Sequence, residues 1–258
     1  MPQLAVNNAL VDYLQVLPRH KTKRGEASKD PIVILHGWNH HAALWQPVAK
    51  MLAHDREIFL ITHQGHDLLT IIRKLQIDRC ILLGHSYGGQ VAIRVIEAEP
   101  RLVSGLILVA SSGLWSHLRM TMKARVFFAM RKWPFYRFLK HLAPSPWRTA
   151  VQAEDYKNST PEMKILFKKI VNTELSQVLP SISIPTLLIW GERDSAVPVR
   201  IAKLAHEHLP NSRLEVLYGQ EHNLHLDCPE LLTQRIQTWL EDLEIQPTRK
   251  QKSGGAAQ

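Results

Sequence analysis

Residues 81–90, ILLGHSYGGQ, set Ser86 between glycines directly after an apolar run. A serine at a tight turn from strand into helix projects its hydroxyl outward, and Gly84 and Gly88 are the residues that let the two elements approach there. A serine hydroxyl is a weak nucleophile, so chemistry at Ser86 requires a base to take its proton and an acid to orient that base. Downstream, LLIWGERDSAVP carries Asp194 just past an apolar run, and YGQEHNLHLDCPE carries His222 between the last apolar run and the last helical pattern. Serine, acid and histidine in that chain order is one arrangement in which such a turn supplies a nucleophile. Glu192 is the alternative acid and His225 the rival base, each close in sequence to the residue it would replace. The oxyanion formed by attack on a carbonyl needs preorganised N–H donors. The backbone N–H groups of Tyr87, next to the serine, and of Trp38, in HGWN, are assigned that part, with His36 and Gly37 supporting the loop.

The elements that must position these residues read as a parallel sheet with crossover helices. Apolar, β-branched runs at 31–37, 57–62, 79–84, 103–111, 184–191 and 212–219 alternate with helical patterns at 42–53, 67–75, 88–100, 199–208 and 230–244. Such near-continuous runs mark strands covered on both faces. Residues 9–17 fit an antiparallel edge strand. Between 112 and 182 the alternation stops and helical stretches take over, which places a helical insertion, a candidate lid, at the carboxyl edge of the sheet where open α/β folds bind ligands. The expected organisation is therefore a discontinuous core (1–113 and 181–247), a helical cap (114–180) and a disordered tail (248–258).

Net charge is +9, and its distribution matters more than its sum. Residues 114–180 hold twelve Lys or Arg against four Asp or Glu, so nearly all of the excess lies in the cap. This predicts weak attraction to an acidic substrate or an anionic membrane surface. No RNA- or DNA-binding signature accompanies the charge, so nucleic acid is not expected as a partner. No apolar segment resembles a signal peptide or a membrane span, and two cysteines form no disulfide framework, which together predict a cytoplasmic protein. His63, His66 and Asp67, and His206 with His208, are spaced wrongly for a shared helix face and lack an H-E-x-x-H pattern, so no metal is expected.

The stretches PIVILHGW, ILLGHSYGGQVAIR, GLILVASSG, PTLLIWGERDSAVP and EHNLHLDCPE resemble, in order, the successive signatures of the α/β-hydrolase superfamily, and within it the capped serine esterases and carbon–carbon bond hydrolases. The resemblance spans the core from about residue 32 to the last helix. It implies the α/β-hydrolase fold, a cofactor-free hydrolase with Ser86 as nucleophile, Asp194 as acid and His222 as base, and a small-molecule substrate such as a carboxylic ester. Two departures stand out. About twenty residues common after the strand at 57–62 are missing, leaving eighteen residues, 62–79, for a crossover that needs about a dozen. Glu221 also stands where relatives usually carry glycine, which predicts strain if that position needs positive φ. These departures motivate a competing expectation, a non-catalytic protein of the same fold that binds a small ligand.

Overall fold

Strands whose side chains are apolar at every position can be satisfied only between two layers of helix, and that is how these runs are used. A computed structural model of the chain describes residues 1–7, 9–20, 29–63, 67–115 and 173–252. Eight strands form one sheet in the order β1-β2-β4-β3-β5-β6-β7-β8. They are β1 (Gln3–Val6), β2 (Ala9–Val16), β3 (Ile32–Leu35), β4 (Ile58–Ile61), β5 (Cys80–His85), β6 (Val103–Val109), β7 (Thr186–Gly191) and β8 (Ser212–Leu217). β2 pairs antiparallel with both β1 and β4, and the six strands from β3 to β8 are parallel. Among the described residues the α-helices are α1 (Gln46–Leu52), α2 (Leu68–Lys74), α3 (Tyr87–Ala98), α4 (Val199–His208), α5 (Leu224–Asp227) and α6 (Pro229–Lys252).

Alternate residues of each strand feed two cores. Val33, Leu35, Leu82, Leu106, Leu108 and Trp190 pack with Ile71 and Ile72 of α2, Ala92 and Ile93 of α3 and Ile201 and Ala205 of α4. Ile32, Ile34, Leu83, Ile107, Val109 and Ile189 pack on the other face with Val48 and Ala49 of α1 and Leu232, Ile236 and Trp239 of α6. The chain turns from β3 to β4 on one side and then to β5 on the other. A crevice therefore opens at the carboxyl ends of β3 and β5, the switch point where such sheets place ligands.

The structure corrects the sequence reading in two places. β2 is not the sheet edge, because the four-residue β1 pairs outside it in the register Gln3↔Asp12 to Val6↔Ala9. α6 continues past the last apolar position of its pattern to Lys252, so the tail expected to begin at 248 starts as helix, and residues 253–258 lie outside those described. The shortened crossover closes with a single two-turn helix, α2, capped by Asp67, whose carboxylate accepts from the Leu69 N–H (3.1 Å) and the Thr70 hydroxyl (2.7 Å). Asp67 is thus a helix cap.

Of the expected cap, residues 116–172 lie outside those described. Their flanks meet at the carboxyl edge beyond β6, where the Leu175 N–H donates to the Gly113 carbonyl (2.8 Å) and Leu114 and Leu175 are both buried. Among the described residues no helix is long and apolar enough to cross a membrane. Both cysteines are free, and burial in β5 pushes the Cys80 thiol up to about 12.

Candidate active site

Ser86 is the hinge between β5 and α3, with φ +51 and ψ −114. A side chain held there costs about 1–3 kcal/mol, which the surroundings must offset. The Ser86 N–H donates to the Val109 carbonyl (3.0 Å), and its own carbonyl accepts from Gly89 (3.2 Å) and Ser112 (3.1 Å). The flanking glycines serve close approach. A Cβ on Gly88 would stand 2.1 Å from the Leu35 carbonyl oxygen, and one on Gly84 would stand 2.5 Å from the Gly89 Cα. Tyr87 opens α3, so its N–H belongs to the first turn, where no intrahelical acceptor exists. The 36–38 loop lies against the same corner: a Cβ on Gly37 would meet the Ser86 Cβ at 3.4 Å and His85 Nδ1 at 3.0 Å. This brings the loop carrying Trp38 beside the Ser86 turn. His36 supports it, its Nδ1–H donating to the Gly37 carbonyl at 2.7 Å.

Asp194 and His222 come together. His222 Nδ1 lies 2.8 Å from one carboxylate oxygen of Asp194, while the other oxygen accepts from the Ala196 N–H (2.9 Å) and the Val197 N–H (2.7 Å). With the Asp194 side chain fully buried and the His222 side chain 21% exposed, the carboxylate is fixed and sealed while the imidazole keeps an open side. The His222 ring centroid is 5.0 Å from that of His85, the neighbour of Ser86, and the His222 carbonyl lies 3.3 Å from His85 Nε2. One glycine outside the motif makes this possible. A Cβ on Gly191, the last residue of β7, would stand 2.1 Å from the Glu221 carbonyl oxygen, so only glycine admits the His222 loop to the strand end. Its sequence signal was its place, closing an apolar run three residues before the acid.

The rivals are engaged elsewhere. Glu192 accepts from the Gly219 N–H at 3.0 Å, and His225 is buried in parallel stacking on Trp45, with centroids 4.5 Å apart and planes at 4°. Glu221 has no positive φ; the left-handed residue of that loop is Gly219, at φ +71. The strain expected at Glu221 is therefore absent, because the turn is made two residues earlier. Of the histidines weighed for metal, His206 contacts the Ser212 hydroxyl (2.8 Å), and His208 donates to the Leu204 carbonyl (2.8 Å). His63 is buried against the His36 ring at 4.7 Å, filling space beside the shortened crossover, and His66 lies outside the described residues.

Buried neutral imidazoles surround this corner. Desolvation, only partly offset by the Gly37 carbonyl, pushes His36 down to about 4, and burial lowers His225 to about 3 and His85 well below the usual histidine range. Since the unfolded chain protonates near 6.5, it binds more protons than the folded one between that pH and the depressed values. The corresponding stability is fully present above about pH 6.5 and is lost as pH falls, at about 1.4 kcal/mol per pH unit for each such histidine. Urea denaturation of chelator-treated protein should show the midpoint falling steeply from pH 6.5 to 4.5, and His36→Gln should flatten part of that slope. A midpoint constant over this range would contradict neutral burial of these rings.

Residues 32–235 match the model of a family described as the alpha/beta hydrolase family. Among curated proteins, the chain is 26% identical over 265 residues to an uncharacterized hydrolase, YugF, of Bacillus subtilis, covering 88% of this chain and 94% of that one. It is 26% identical over 253 residues to a pimeloyl-acyl-carrier protein methyl ester esterase of Yersinia enterocolitica, covering 82% and 93%. Among solved structures, the fold superposes on an esterase from Exiguobacterium antarcticum with a TM-score of 0.68 at 19% identity, covering 93% and 98%.

Proposed function

From its membership of the alpha/beta hydrolase family, to which this chain belongs, we propose that it is a cofactor-free serine hydrolase of a small or medium carboxylic ester, working through an acyl-enzyme. The observation that carries the reading is the 2.8 Å pair of His222 and buried Asp194 on the sheet edge where Ser86 is held at φ +51. In the proposed reaction the Ser86 Oγ attacks the carbonyl carbon while His222 Nε2 takes its proton. The negative oxygen of the tetrahedral intermediate is met by the Trp38 and Tyr87 N–H groups. Collapse of the intermediate breaks the ester C–O bond, and the alcohol leaves with the proton from His222. Water, deprotonated by the same histidine, then releases the carboxylic acid. Asp194 holds the imidazole in the tautomer with Nδ1–H and steadies its charged form.

The relative named as a methyl ester esterase supports a carboxylic ester as the substrate class. We read residues 114–180 as a basic cap that draws in acidic substrates, and the protein as cytoplasmic. A fluorophosphonate probe should label the chain once, at Ser86, as read by peptide mass spectrometry, and p-nitrophenyl butyrate should be turned over. A correctly folded chain that takes up no probe and hydrolyses no short ester would fit the ligand-binding alternative instead.

A further inference from the structure

Three histidines from three distant segments converge beside the nucleophile turn. His40 comes from the loop after β3, His85 ends β5, and His225 lies in α5. One ring nitrogen of each lies within 4.8 Å of the other two. Ring centroids are 4.6 Å apart for His85 and His225, 5.7 Å for His40 and His225, and 5.8 Å for His40 and His85. His85 is wholly buried and His225 is 1% exposed, yet both ring nitrogens of His225 and Nδ1 of His85 have no hydrogen-bond partner among the described residues. A neutral imidazole carries one N–H and one lone pair. His225 therefore leaves a donor and an acceptor unanswered in the interior, where an unmade hydrogen bond is costly. Stacking on Trp45 explains the plane of the ring and leaves both nitrogens unexplained.

We propose that His40, His85 and His225 form a binding site for a divalent ion of the zinc class, and that its occupation switches off the hydrolysis assigned to Ser86. The donor set selects the ion class. Three imidazoles without a carboxylate suit Zn²⁺, Co²⁺ or Cu²⁺ and offer nothing to Ca²⁺ or Mg²⁺, which take oxygen ligands. Burial keeps the His85 and His225 rings neutral, the form that ligates. Bonds of about 2.0–2.1 Å in tetrahedral geometry put ligand nitrogens closer together than the present spread, so the rings must close on the ion. His40 is the member placed to move, because it is only partly buried and follows Asn39, a residue at φ +56. A fourth position stays open for water, as in other three-histidine sites.

The effect on catalysis follows from position. The His85 ring is 5.0 Å from that of His222, and its Nε2 lies 3.3 Å from the His222 carbonyl, so drawing His85 onto an ion displaces the loop that positions His222 toward Ser86. This half of the inference rests on the serine hydrolase reading; binding itself does not.

The test uses full-length, tag-free protein, stripped by chelator and titrated with CoCl₂. The expected result is a one-to-one complex with the visible absorption of a tetrahedral Co²⁺ site, displaced by Zn²⁺. Binding should weaken at least about tenfold in His40→Ala and in His225→Gln, since even outer-shell losses reach that size. In the same samples p-nitrophenyl butyrate hydrolysis should fall with the same midpoint and return on adding EDTA. Absence of the band, or a band that survives both substitutions and so reports other histidines, overturns the site. A band with undiminished hydrolysis overturns the inhibition alone. Protein that hydrolyses no ester yet gives the band defeats the serine hydrolase reading and leaves the site standing. If His225→Gln fails to fold by circular dichroism, the loop variant His40→Ala decides.

Discussion

Ser86→Ala should lower p-nitrophenyl butyrate turnover by a factor of about 10⁵–10⁶, the loss that follows when the nucleophile of a cooperating triad is removed. What survives is the contribution of the N–H donors and of substrate binding, about 10³–10⁴ over water. The substitution keeps a Cβ at φ +51, so the backbone strain persists and the melting temperature should hardly move. Ser86→Gly separates strain from chemistry. Glycine adopts this conformation without the steric cost, so that variant should be equally inactive and more stable, by about 1 kcal/mol. The pair of variants is informative because no general loss of structure lowers activity while raising stability. Turnover preserved in either one would remove Ser86 from the role of nucleophile.

Much of this arrangement is legible in the sequence, for reasons that differ by element. The inner parallel strands are readable because burial on both faces demands apolar residues at nearly every position, as in Ile32–Leu35 and Ile58–Ile61, whereas the edge strand β8 shows only partial alternation. β1 is not, because a four-residue outer strand is half solvated and carries too few alternating residues to form a pattern. The Ser86 turn is readable because its glycines are forced by contact with the Leu35 carbonyl and with Gly89, and a steric requirement leaves a residue type behind. The same logic makes Gly191 intelligible after the fact, but its partner, the Glu221 carbonyl, is thirty residues away and invisible to local spacing. Glu221 misled for the converse reason. Positive φ belongs to the loop rather than to a fixed position in it, and Gly219 takes it. The convergence of His40, His85 and His225 has no sequence signature at all, since it is produced by the sheet order that sets β3 beside β5 and by the return of the chain after β8. His63 is hidden in the same way: a lone histidine after an apolar run reads as solvated loop, whereas the shortened crossover folds it under His36.

Asp194→Asn should lower kcat by about 10⁴ with little change in KM or stability, because it inverts one hydrogen bond and spares the rest. In the native arrangement one carboxylate oxygen receives the Ala196 and Val197 N–H groups and the other faces His222 Nδ1. An asparagine satisfies both backbone donors by turning its carbonyl oxygen toward them, which directs its NH₂ at Nδ1. Nδ1 must then accept, so the imidazole proton moves to Nε2, the nitrogen that has to receive the serine proton. Catalysis fails through the wrong tautomer while the packing survives. Asp194→Ala would not make this distinction, since it also strands two inward backbone donors, at about 1–3 kcal/mol each. The matched control is Glu192→Gln. The side-chain amide carbonyl introduced by that change can still accept from the Gly219 N–H, as the Glu192 carboxylate does, and it faces no imidazole, so kcat should stay within about twofold. Steady-state kinetics on the two amide variants thus weigh the two acids of the same loop against each other. A large loss in Glu192→Gln together with an active Asp194→Asn would transfer the orienting role to Glu192 and require the His222 loop to rearrange before catalysis.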